Sequence, residues 1–281
     1  MICFIVVWIT LCSTRNIIFR LPDKENIVLL GNSHIETGVN DSILANSFNF
    51  ARSAENLEQV YCKIKLLKRY NSQIDTVIIG YDNMIMRQDL RKPMQGIFSP
   101  YFYDTYNISD IYKIILNGSF DYITSHFYYP LHCEKIGQGI PAFYDSKTNV
   151  SYLSNLGRYE YLVRDKLRED INLQKKNKHY IKHDIDKLSE YFMGEIIKYC
   201  NNNGITILFL CTPQHKKYEF DKISYKEYYS KNYKDIKFYD LRDMYLPDSC
   251  FGDLHHLNYK GAKVFSEYLE KEIFHKQNYT D

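Results

Sequence analysis

An α/β fold built on a parallel sheet is the class this sequence predicts, and three observations predict it. Ile27-Val28-Leu29-Leu30 runs four apolar residues straight into Gly31, and Thr76-Val77-Ile78-Ile79 does the same into Gly80. A third run, Ile205 to Leu210, ends at Cys211-Thr212-Pro213. Short apolar runs rich in β-branched residues and stopped by glycine or proline read as strands buried on both faces. Between them lie stretches whose apolar residues recur at helical spacing. Strand, helix, strand with short links is the pattern of a parallel sheet covered on both sides, giving three layers.

The elements follow in order. Met1 to Cys12 is almost wholly apolar. It is shorter than the roughly 18–20 residues that span a bilayer, and no basic segment precedes it. Three readings stand open for residues 1–20: a remnant of a membrane anchor or signal, a lipoprotein signal ending at Cys12, and a buried first element. Leu11 before Cys12 counts against the second, and the polar connector Ser13 to Asn26 favours the first. From residue 21 to 281 the chain reads as one α/β domain. After Leu30 and a helical turn at Asp41 to Asn46, Ser47-Phe48-Asn49-Phe50-Ala51 is a short second strand. Leu57, Val60, Tyr61, Ile64 and Leu67 mark a helix leading to the strand Thr76–Gly80.

Regularity is lost from about 84 to 183. This stretch carries Tyr101, Tyr103, Tyr106, Tyr128, Tyr129 and Tyr144 with Pro130 and Pro141. It is too long for a plain loop and reads as an aromatic-rich insertion near the sheet's carboxyl edge, with a helix at Asp110 to Leu116. Alternation then resumes. A helix starts near Asp184 and ends at Asn201-Asn202-Asn203-Gly204, then comes the strand Ile205–Leu210. A short strand at Ile236 to Tyr239 and a helix from Asn258 complete the chain.

Composition narrows the function classes. The 281 residues hold 36 basic and 34 acidic side chains, a net charge of +2, which gives no electrostatic case for nucleic acid. Tyrosine is abundant, at 27 residues with one Trp, and suits both burial and contact with sugars or polymers. The seven cysteines show no C-x-x-C spacing and are odd in number, so neither a zinc pattern nor a disulfide framework is read. Cys62, Cys200 and Cys211 fall in apolar segments, as small hydrophobes. No metal and no cofactor is expected.

The chemistry concentrates at two segments more than two hundred residues apart, Gly31-Asn32-Ser33-His34 and Asp253-Leu254-His255-His256. A serine at the carboxyl edge of a sheet is a candidate nucleophile once a base removes its proton and a third group orients that base. Asp253 and His256, three residues apart before the last helix, can lie on one side of a turn. His255 is the rival base, and the spacing favours His256. His34 is a neighbour that shapes the turn or contacts substrate. His215, after the third long strand, is either a substrate contact or part of a strand-terminating turn.

The order of these blocks resembles the SGNH (GDSL-type) hydrolase superfamily, over residues 27–83 and 205–274. The resemblance implies a flavodoxin-like parallel sheet and a triad of Ser33, His256 and Asp253. The final glycine of the α/β-hydrolase elbow is missing after Ser33. The family takes oxyanion donors from the serine N–H, a second-block glycine and a third-block asparagine. The second block here is Asn49-Phe50-Ala51-Arg52-Ser53-Ala54, without glycine, so Ser53 or Ala54 would give the backbone donor. The third block, Gly80-Tyr81-Asp82-Asn83, reverses the family's asparagine–aspartate order, so either Asn83 swings in or one donor is lost. What the resemblance implies is ester chemistry through an acyl-Ser33 intermediate, hydrolysing an O-acylated glycan or transferring its acyl group. The alternative is an inactive member that binds glycan or scaffolds an envelope assembly. An acylated carbohydrate or other ester is the expected partner, with membrane association through the N-terminus and a place in the cell envelope, or else in the cytoplasm.

Overall fold

The computed structural model describes residues 19–82, 84–86, 103–120, 122–124, 157–176, 185–218 and 223–274. The strands are β1 (Ile27–Leu30), β2 (Ser47–Asn49), β3 (Thr76–Gly80), β4 (Thr206–Cys211) and β5 (Lys237–Asp240). They form one sheet, all parallel, in the order β2-β1-β3-β4-β5. The three-layer α/β class expected from the apolar runs is the architecture found.

Period-two alternation divides the strand side chains between two cores. Val28, Leu30, Val77, Ile79 and Phe209 face one layer, where they pack with α2 (Leu57–Tyr70), α3 (Ile108–Asn117) and α5 (Lys187–Asn202). Leu29, Ile78, Leu208 and Leu210 face the other, against α1 (Ser33–Gly38), α4 (Leu167–Lys176) and α7 (Tyr259–Leu269). The remaining helix, α6 (Ile223–Asn232), sends Tyr225 into the first layer. There Tyr81 stacks on Phe209, with ring centroids 4.6 Å apart. Asn56 caps α2 reciprocally with Gln59, and Asp186 caps α5 through Ser189.

Several expected boundaries shift. β2 stops at Asn49, whose side-chain amide donates to Ile35 O and Val39 O. The fifth helix begins at Lys187, after its Asp186 cap, and β4 and β5 each run one residue past their expected ends. The described parts of the 84–183 stretch divide between two places. Tyr106, Ile114 and Tyr122 belong to the first core, away from the site, while residues 157–166 run along the carboxyl edge. Tyr101, Tyr128, Tyr129, Pro130, Pro141, Tyr144 and residues 1–18 lie outside the described residues. Cys62, Cys200, Cys211 and Cys250 are buried free thiols. Among the described residues, no helix is long and apolar enough to cross a membrane.

Candidate active site

The carboxyl ends of β1 and β3 lie side by side, and their terminal glycines let α1 start against the sheet. Gly31 has φ +142°, and a Cβ on Gly80 would fall 2.4 Å from Ile35 Cγ1. The chain after Leu30 therefore turns at once into α1, and Ser33 is its first residue rather than part of a plain turn. Asn32 caps this helix: its side chain accepts from His34 N, and its carbonyl from Ile35 N and Glu36 N. Of these first-turn N–H groups, Ser33's is the one not given to Asn32.

The other half of the site rests on a loop fastened at both ends. Phe251 bridges Leu257, Gly252 N donates to His256 O at 2.9 Å, and the Asn258 amide donates to Ser249 O and Phe251 O. Asn258 also caps α7. The start of α7 approaches the loop so closely that a Cβ on Gly261 would lie 2.1 Å from Cys250 O.

Across this gap the two segments meet. His256 Nε2 is 2.7 Å from Ser33 Oγ, and His256 Nδ1 is 2.9 and 3.0 Å from the two Asp253 carboxylate oxygens. Asp253 also accepts from the His255 and His256 backbone N–H groups, at 3.0 and 2.8 Å. His256, not His255, is the ring that reaches the serine. An acceptor on Nδ1 fixes the tautomer with its proton there, leaving the Nε2 lone pair for the Ser33 hydroxyl. Burial, His34 and the Arg164 guanidinium push His256 down to about 3. Burial and the neighbouring imidazoles push His255 down to about 2. Both rings are accordingly neutral at neutral pH.

Arg164 is a site residue that sequence reasoning missed. It is bonded to Asp253, and its Nη2 lies 3.1 Å from His256 Nδ1. The Nδ1 proton goes to Asp253, so this second approach acts through charge rather than as a hydrogen bond. No local pattern marks Arg164, which sits in the stretch the family resemblance leaves unmatched.

The third-block aspartate takes a different role from a donor. Asp82 is buried, with His34 Nδ1 2.6 Å away, and it accepts from Met84 N, Ile85 N and the Asn32 amide. Burial opposes its ionisation, but His34 and these donors outweigh it and hold the carboxyl below the usual range. An ionised Asp82 orients His34. Asn83 lies outside the described residues. His34 is 3% exposed and faces His256 edge-on, at 5.1 Å between ring centroids.

In the second block, Arg52 N bonds Gly31 O, tying the segment to the end of β1. Ser53 Oγ donates to Glu36, and Ala54 sits at φ +59°. Burial raises the Glu36 carboxyl despite the Ser53 bond. Beneath them the buried Lys63 pairs with Glu55 at 2.5 Å, and its ammonium also donates to Phe50 O at 2.8 Å. Burial raises Glu55 to about 7 and lowers Lys63. His215 is buried, with Nε2 3.2 Å from Asp248 Oδ1 and its ring edge-on to Phe251. It borders a pocket of about 100 Å³ shared with Gln214, Tyr218, Met244 and Leu246. Neither polar end of the buried Gln214 amide has a hydrogen-bond partner among the described residues.

A model of an uncharacterised protein family matches residues 163–278. The matched segment begins just before Arg164 and contains Asp253 and His256, while Ser33 lies outside it. No curated protein matches the chain.

Proposed function

We propose that this chain is a serine-dependent enzyme of ester chemistry, working through an acyl-Ser33 intermediate. The observation that carries the reading is the hydrogen-bonded relay from Ser33 Oγ through His256 to Asp253, at 2.7 and 2.9 Å. His256 Nε2 takes the hydroxyl proton as Oγ attacks an acyl carbonyl. The imidazolium so formed is stabilised by Asp253. Its proton then goes to the leaving alcohol as the C–O bond breaks, and the acyl group stays on Ser33. Water, or a second alcohol in the transferase case, reverses the sequence and frees the serine. The Ser33 backbone N–H, left over by the Asn32 cap, would serve the developing oxyanion.

The SGNH-like order of the blocks supports the same reading, since nucleophile and base come from the first strand end and the last loop. An O-acylated glycan is the substrate class we favour. Beside the Arg164 segment, Tyr161 is 61% exposed and stacks on Tyr259 at 4.6 Å, an aromatic surface suited to a sugar ring. Labelling with a fluorophosphonate probe tests the chemistry. Wild type should label and Ser33→Ala should not, with matching turnover of an aryl acetate. No Ser33-dependent labelling and no turnover would leave the alternative of a glycan-binding scaffold.

A further inference from the structure

We propose that His34, His255 and His256 form a three-histidine site for a borderline divalent cation of the Zn²⁺ type, and that filling it switches Ser33 off. Each ring offers one nitrogen, and these nitrogens lie within 4.8 Å of one another. The ring centroids are 4.2, 5.1 and 5.5 Å apart. A tetrahedral ion with bonds of about 2.0–2.1 Å needs nitrogens about 3.4 Å apart, so closure asks for ring shifts of about an ångström.

Two of the imidazoles are also held from behind by a carboxylate, and the third lies near one. His34 Nδ1 meets Asp82 at 2.6 Å, His256 Nδ1 meets Asp253 at 2.9 Å, and His255 Nδ1 lies 3.7 Å from Asp253. A carboxylate on one ring nitrogen fixes the tautomer and leaves the other nitrogen's lone pair for a metal. Two carboxylates beside the ligands also balance the charge of a divalent cation.

The independent sign of a ligand is the far nitrogen of His34. That side chain is 3% exposed, yet its Nε2 has no hydrogen-bond partner among the described residues. A buried ring nitrogen left unsatisfied carries a desolvation cost that coordination would remove. The His255 side chain, 29% exposed, gives the ion an approach from solvent. Water would complete the fourth position.

The switch follows from electron pairs. The His256 Nε2 lone pair now accepts the Ser33 proton at 2.7 Å. Donated to a cation instead, it cannot accept that proton, and the hydroxyl stays a weak nucleophile. This half rests on the ester reading; metal capture itself does not.

The test uses the full, tag-free chain, titrated with Zn²⁺ by calorimetry and with Co²⁺ by visible absorption. Wild type and Ser33→Ala should each bind one equivalent, with the intense bands of tetrahedral Co²⁺. Asp82→Asn should weaken binding by about 10–100-fold, and His255→Gln by more. Zn²⁺ should slow fluorophosphonate labelling of wild type in proportion to occupancy, and a chelator should restore it. Absence of stoichiometric binding to both wild type and Ser33→Ala would overturn the site, whatever the variants' stability. Undiminished affinity in folded His255→Gln would do the same. Stoichiometric binding with unchanged labelling would overturn the switch alone. If no labelling occurs even without metal, the ester reading fails while the titrations still decide the site.

Discussion

Replacing Asp253 by asparagine isolates what the buried carboxylate does for His256. The new amide oxygen can still accept from the His255 and His256 backbone N–H groups, at 3.0 and 2.8 Å in the native loop, so the loop keeps its shape. The amide nitrogen then faces two donors, His256 Nδ1–H and Arg164. The conflict is relieved when the imidazole moves its proton to Nε2, where it points at Ser33 and can no longer take a proton from it. In serine proteases the same change lowers turnover by about 10⁴, equivalent to about 5.4 kcal/mol of barrier, and a similar loss is expected here. Stability should change far less. The Arg164 side chain is 39% exposed, so its lost ion pair is screened and worth under about 1 kcal/mol, a melting shift of a few degrees. The assay is the inactivation rate with a fluorophosphonate, beside circular dichroism and a thermal melt. An Asp253→Asn rate within tenfold of wild type, in a folded protein, would refute the tautomer argument.

Other consequences are equally open to measurement. Because His256 is pushed down to about 3, kcat/KM for an aryl acetate should stay level from pH 8 to about pH 5; an acid limb at 6.5 would count against it. Arg164 is one of the charges holding that value down, so Arg164→Met should move the acid limb to higher pH, and an unmoved profile would deny it that role. Glu55→Leu strands a buried lysine and should cost about 3–5 kcal/mol in urea unfolding, whereas adding Lys63→Met should recover most of the loss. Gly261→Ala gains about 1 kcal/mol of helix propensity but drives a methyl toward Cys250 O, 2.1 Å away. Labelling should fall more than tenfold with a lower melting point; a higher melting point with normal labelling would show that the contact relaxes harmlessly.

The sheet was legible because its strands are continuous apolar runs ended by glycine, and β1 and β3 lie at the positions read from those runs. The pairing of Asp253 with His256 was legible too, since a three-residue spacing fits a single turn. Other parts of the site have no local sign. Arg164 reaches Asp253 from 89 residues away, and nothing around it is periodic. Ser33 opening a six-residue helix is hidden because the element is too short for a helical repeat to show. His34 looked like a turn residue because its partner Asp82 lies at the end of another strand, brought near only by the pairing of β1 with β3. The three-histidine cluster is invisible for the same reason, as no ligand spacing along the chain announces it.

The hydrogen bond between Ser33 and His256 spans 223 positions of sequence. Ser33 follows β1 and Asp82 follows β3, while Asp253 and His256 come after β5, on the loop before α7, which packs back on α1. Contacts of such long sequence separation form late, because loop closure must be achieved before they contribute. A chain emerging during synthesis thus carries its serine for most of its length with no base to activate it. Local unfolding that lifts α7 from α1, where Asn40 N donates to Ser266 Oγ at 2.8 Å, separates the serine from its base again. The proposed reactivity toward an acyl donor is therefore a property of the assembled fold, and Ser33 labelling would double as a gauge of whether α7 is docked on α1.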